Sequence, residues 1–192
     1  MANNLRNVSP DEQQTAYHKV LSWFFAYPTK EFTLNEISRA VGVAKTSAST
    51  AVKLLHNEDV LILEKLGNLW RIKANQAHPF FITRKIPANL MLVYESGILE
   101  EVNRILPGAK VIILFGSYRY GDDNHESDID IAVEVLGDKE MEVIKLGVIK
   151  QLGYRENVTV NLHVYSRSKI DINVFTSIVN GIKLDGLLEV SK

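Results

Sequence analysis

Two aspartates, Asp128 and Asp130, stand one residue apart in the apolar run Ser127-Asp128-Ile129-Asp130-Ile131-Ala132-Val133. On a β-strand that spacing sends both carboxylates to one face, with Ile129 and Ile131 on the other. Carboxylates held side by side repel, and a cation between them removes that cost. An all-oxygen ligand set favours a hard ion, Mg²⁺ or Mn²⁺. Upstream, the run Val111-Ile112-Ile113-Leu114-Phe115 ends in Gly116-Ser117, the pattern of a buried strand whose chain then turns sharply. Such a turn offers backbone N–H groups and a hydroxyl to phosphate oxygens. A cation site beside a phosphate cradle is the equipment of phosphoryl or nucleotidyl transfer.

Either motif alone carries little weight; their order along the chain is what informs. The elements that must hold them read as an α/β layer on a small mixed sheet. An amphipathic helical pattern runs from Leu90 to Leu106 and stops at Pro107-Gly108. Strands are expected over Lys110–Phe115, Asp128–Val135 and Val158–Tyr165, with helices over Asp138–Leu152 and around Asp171–Asn180. The acidic segment Asp122-Asp123-Asn124-His125-Glu126 is expected to face solvent, and Glu134 to lie just past its strand.

Strand, Gly-Ser turn, polar connection and Asp-x-Asp strand together resemble the signature of the DNA polymerase β-like nucleotidyltransferase superfamily. The likeness is to its small prokaryotic branch, the minimal nucleotidyltransferases related to kanamycin-type antibiotic nucleotidyltransferases, over about residues 90–185. The resemblance implies that Gly116 and Ser117 bind the phosphates of a nucleoside triphosphate, with Arg119 reaching the same group. It also implies that Asp128 and Asp130 ligate Mg²⁺ or Mn²⁺, and that an acceptor oxygen attacks the α-phosphorus as pyrophosphate leaves. A third carboxylate usually completes this site from the next strand. In Val158-Thr159-Val160-Asn161-Leu162-His163-Val164-Tyr165 alternation puts Thr159, Asn161, His163 and Tyr165 on one face, and none is acidic. Asn161 falls at the third catalytic position; it can ligate a cation but cannot accept a proton. Arg119 stands where the family commonly has a small residue, and Tyr120 where it has a basic one.

The first half of the chain reads differently. A helix over residues 15–27 carries an apolar stripe (Tyr17, Val20, Leu21, Phe24, Phe25) and meets Pro28. Thr33-Leu34-Asn35-Glu36 is a capping box opening a short helix closed by Gly42, and a third helix spans about Lys45 to His56. Strand patterns Val60–Glu64 and Leu69–Lys73 follow, joined around Gly67-Asn68. That order is a winged helix-turn-helix, and Leu34–Leu55 resembles the DNA-reading segment of prokaryotic regulators. Thr46, Ser49 and Thr50 would approach base edges, while Lys45, Lys53, Lys65 and Arg71 would meet phosphates. Trp23 and Trp70 read as core or wing residues.

The expected fold class is therefore α+β: a winged helix-turn-helix over residues 1–75, a connection over 76–89 and a nucleotidyltransferase-like domain over 90–192. Charge divides along the same line. Residues 1–85 hold 11 Lys and Arg against 7 Asp and Glu, whereas residues 86–192 hold 11 against 16. The absence of cysteine excludes disulfides, thiolate metal sites and a cysteine nucleophile. With no apolar signal core and no run of about 18 apolar residues, a cytoplasmic protein without a membrane partner is expected. Two functions fit. One is a metal-dependent nucleotidyltransferase recruited by a DNA-binding winged helix. The other is a DNA-binding transcriptional regulator whose second domain binds nucleotide or a protein partner without turnover. A homodimer is compatible with either.

Overall fold

The computed structural model describes residues 4–67 and 69–189. Helices α1 (Ala16–Ala26), α2 (Leu34–Ala40) and α3 (Lys45–Asn57) pack together with a three-stranded antiparallel sheet. Its strands β1 (Glu31–Phe32), β2 (Leu61–Leu66) and β3 (Leu69–Ala74) take the order β1-β3-β2. The capping box at α2 forms in full: Thr33 caps the Glu36 N–H, and the Glu36 carboxylate accepts the Thr33 N–H at 2.7 Å. Val20, Phe24, Ile37, Val52, Leu55 and Ile72 are fully buried between these elements. β1 had no sequence signal, since two residues are too short to show alternation. β2 and β3 pair out to Leu66–Leu69, and Asn68 of the expected turn lies outside the described residues.

Residues 76–89, expected to be a connection, run instead into the 17-residue helix α4 (Pro79–Glu95). Every fourth residue of its inner stripe, Phe81, Lys85, Asn89 and Val93, is buried. Phe81 packs with the N-terminal cluster and Val93 with the second one, so the helix belongs to both. The helical pattern expected over Leu90–Leu106 is broken at Gly97, whose φ of 77° a side chain would strain. A separate helix, α5 (Ile98–Ile105), follows.

The second sheet has five strands in the order β6-β7-β5-β4-β8: β4 (Val111–Phe115), β5 (Ile129–Glu134), β6 (Glu142–Leu152), β7 (Arg155–Tyr165) and β8 (Ile182–Gly186). Only β5 and β7 pair in parallel. Two further helices are α6 (Ser117–Tyr120) and α7 (Ile172–Val179). The helix expected over Asp138–Leu152 is in fact β6. Val143, Ile144, Val148 and Ile149 are β-branched and Gly147 would weaken a helix, so a nearly full ladder to β7 wins. The two-residue Gly153-Tyr154 turn closes that hairpin, and β7 starts three residues earlier than its expected beginning at Val158.

One face of this sheet (Ile112, Leu114, Ile129, Ile131, Val160, Leu162) is buried with Val93, Ile98 and Val102 from α4 and α5. The other face carries Val111, Ile113, Ala132 and Tyr165 against Ile178 of the short α7. The N-terminal segment joins the second unit as well: Arg6 N–H donates to Ser96 and Val8 forms a parallel bridge with Leu152. No described helix is long and apolar enough to cross a membrane.

Candidate active site

The α7-bearing face also holds the polar residues of interest. Asp130 lies within β5 and Asp128 one residue before it, so both project to this face, as the alternation requires. In the parallel register Asp130 stands beside Asn161 and Ala132 beside His163. Asn161 Nδ2 donates to Asp128 Oδ2 at 3.2 Å, and His163 Nε2 lies 3.0 Å from Asp130 Oδ1. The imidazole packs edge-on against Phe115, ring centroids 4.8 Å apart, and its buried Nδ1 has no partner among the described residues. His163 is thus a hydrogen-bonded neighbour of Asp130.

Gly116 closes the site from the β4 end. Its φ of 72° and ψ of −159° lie in a region essentially reserved for glycine. A Cβ placed there would sit 2.9 Å from Asp130 Oδ2. The carboxylate therefore occupies the space that a side chain at 116 would need, and the first turn of α6 starts beside it, where leading N–H groups have no acceptor inside the helix. Ser117 is partly exposed on the same turn.

Residues 95–184 match the family model of a nucleotidyltransferase domain. No curated protein matches the chain. The match begins at the last residue of α4 and ends within β8, so it takes in four strands of the sheet whole and the first part of the fifth.

Within the matched region, Asp128 and Asp130 are side chains that could hold a cation. Their all-oxygen chemistry and open face suit an ion that keeps several waters and takes further oxygens from a substrate. Among the described residues no group of three or more His, Cys, Asp or Glu side chains converges on a metal position. The donor set fits one ion shared with phosphate oxygens and not a closed protein cage. Arg119 takes another direction: its Nε donates to the Asn180 carbonyl at 2.7 Å and its guanidinium stacks on Tyr120.

The loop expected to face solvent does not do so throughout. Asp123 is 1% exposed, its Oδ1 3.1 Å from Lys85 Nζ and 2.6 Å from Asn89 Nδ2. Arg155 approaches its other oxygen at 3.5 Å and donates to the Tyr118 hydroxyl and the Ser127 carbonyl. Burial pushes the Asp123 carboxyl up and the Lys85 ammonium down, and their mutual attraction opposes both shifts. Burial also raises the Tyr118 hydroxyl. Asn89 Nδ2 further donates to the Tyr118 carbonyl at 3.1 Å, so the residue after Ser117 is fastened to α4. Lys85 and Asn89 occupy buried positions of a helical stripe otherwise made of Phe81 and Val93. Glu134 is likewise buried within β5, where its carboxylate pairs with Arg167 Nη2 at 2.7 Å. Ser127 Oγ accepts the Asn124 N–H at 3.0 Å and closes the loop before β5.

In the N-terminal unit Lys45, Thr46, Thr50 and Lys53 are exposed on α3, with Ser49 half-buried; Ala48, Ala51, Val52 and Leu55 face inward. Thr50 Oγ1 donates back to the Thr46 carbonyl at 3.1 Å. Lys53 from α3 and Lys65 from β2 both lie over the Trp70 ring, at 5.6 and 5.2 Å from its centroid. Arg71 is paired with Glu31 at 2.5 Å, which offsets part of its charge.

Proposed function

We propose that the chain transfers a nucleoside monophosphate from a nucleoside triphosphate to an acceptor hydroxyl, on a single Mg²⁺ or Mn²⁺ held by Asp128 and Asp130. The observation that carries this reading is the close approach of the Gly116 turn to Asp130, with no room for a Cβ between them, which brings phosphate cradle and carboxylates to one place. Gly116 and Ser117 would bind the triphosphate through backbone N–H groups and a hydroxyl. The bound ion would draw charge from the phosphate oxygens. The acceptor oxygen then forms a bond to the α-phosphorus, the α–β bond breaks, pyrophosphate leaves, and the acceptor's proton passes to water. His163 would keep Asp130 oriented. Arg119 would meet the triphosphate only after leaving Asn180.

Thermal shift with each nucleoside triphosphate and Mg²⁺ tests the site: binding should raise Tm by mass action. Asp128→Asn combined with Asp130→Asn should erase the shift. Equal shifts in both proteins would sink the metal assignment. Transfer of label from an α-labelled triphosphate then tests turnover.

A second reading is favoured by Asn161, a neutral amide in register with Asp130 and bonded to Asp128. On that reading the domain binds nucleotide without turnover and the chain is a regulator. Both readings use the N-terminal unit as a winged helix on DNA. Exposed Lys45, Lys53 and Lys65 around α3 and Trp70 support phosphate contact, with Arg71 beside them and Thr46, Ser49 and Thr50 on the same helix. Binding to duplex DNA should weaken steeply with salt and vanish when the four cationic residues become Ala. No binding by the wild type at low salt would make this unit a scaffold.

A further inference from the structure

A cavity of about 160 Å³ opens where α1 meets the second unit, and none of Gly116, Ser117, Asp128 or Asp130 lines it. Its walls are largely apolar: Val8 and Pro10 from the N-terminal segment, Phe25 from α1, Met91 and Leu92 from α4, and Leu152 from β6. That size suits about one aromatic ring, since an apolar cavity of roughly 150 Å³ stays dry and admits benzene.

Four charged side chains also line it, and they are not alike. Arg155 and Asp123 are spent on each other, on Lys85 and on Tyr118. Asp11 and Glu95 are not. Both are exposed carboxylates; Asp11 Oδ1 accepts only the Gln13 N–H at 2.9 Å, and Glu95 has no hydrogen bond or ion pair among the described residues. The uncompensated charge at the cavity is therefore negative, beside an apolar pocket with a Phe25 wall. An anion such as a nucleotide would meet repulsion here, whereas an ammonium would find two carboxylates and its hydrocarbon body an apolar surface.

We infer that this cavity binds a small cationic amine, an ammonium group on an apolar body of about one ring, with Asp11 and Glu95 as its counter-charges. The site bridges the two units, because α1 contributes one wall while α4 and β6 contribute the others. It stands apart from the nucleotidyl-transfer reading and does not depend on it.

Titration calorimetry on the full chain tests the inference with three probes of one shape: phenethylamine, 2-phenylethanol and phenylacetate. The amine should bind up to about tenfold more tightly than the alcohol, as two exposed charge pairs can supply, and phenylacetate should bind most weakly. In Asp11→Asn combined with Glu95→Gln the amine should fall to within about twofold of the alcohol, whose own affinity should hold. Ser22→Trp, which fills the cavity from α1, should remove binding of all three. Asp128→Asn combined with Asp130→Asn should leave the amine's affinity unchanged, which separates this site from the proposed active site. Phenylacetate binding as well as the amine would overturn the inference. So would an amine affinity untouched by the Asp11 and Glu95 changes, or no heat from any probe at millimolar concentration. Both carboxylates are on the surface, so their double variant keeps the test valid even if Ser22→Trp does not fold.

Discussion

Replacing Gly116 by Ala tests the close approach of the Gly116 turn to Asp130. The new Cβ would lie 2.9 Å from Asp130 Oδ2, inside any normal separation, while φ stays at 72° with ψ at −159°. A side chain in that region costs about 1–3 kcal/mol. Asp130 could relieve the clash by rotating, but its other oxygen is 3.0 Å from His163 Nε2, and rotation gives up that bond. A partly buried hydrogen bond of this kind is worth about 1 kcal/mol. Together these predict a loss of about 2–4 kcal/mol, seen as a Tm lower by about 6–12 °C in a chain of this size. Urea and thermal unfolding followed by circular dichroism would measure it. Nucleotide-induced Tm shifts should also shrink, since backbone and carboxylate can no longer approach. A Gly116→Ala protein within about 0.5 kcal/mol of wild type, with an undiminished nucleotide shift, would refute the reasoning.

Three further outcomes are expected. Lys85→Met leaves Asp123 buried with only Arg155 and Asn89 for support, and should cost about 3 kcal/mol in urea unfolding; a loss below about 1 kcal/mol would mean that Arg155 alone suffices. Glu58 is held below the usual carboxylate range, first by the Tyr17 hydroxyl and then by Arg84. Its stabilising share is therefore complete above its unfolded value near pH 4.3 and fades as pH falls through the lower folded value. Glu58→Gln should flatten the wild-type decline of Tm between about pH 5 and pH 3, and an unchanged slope would remove Glu58 from the cause. Asn161→Asp sets a carboxylate where an amide now donates to Asp128, so Tm should fall without metal and rise with Mn²⁺ by more than in the wild type. If nucleotidyl transfer rises with it, the missing third acid limits the natural protein; equal Mn²⁺ shifts in both proteins would show that residue 161 lies outside the metal's reach.

The Asp-x-Asp spacing needs only strand periodicity to put two carboxylates on one face, and the alternation of residues 158–165 sorts Asn161 and His163 onto one side for the same reason. Helices α1, α2 and α3 were likewise legible, because their caps, stops and apolar stripes are local features of the chain. What failed was local evidence that two structures could satisfy. Residues 142–152 carry a pattern open to helix or strand, and only the β7 ladder, a partner absent from the segment itself, decides for strand. The stretch 76–89 looked like a connection because Pro79 and Pro87 are turn signals in isolation; Pro79 instead opens α4, and packing against both clusters carries the helix through Pro87. The burial of Asp123 could not be read from its acidic loop, since a buried carboxylate is tolerable only when Lys85, Asn89 and Arg155 arrive from α4 and β7. The pairing of His163 with Asp130 has the same origin. Residues 33 apart in sequence meet only because β5 and β7 run parallel and in register, and periodicity within one strand carries no information about the register between two.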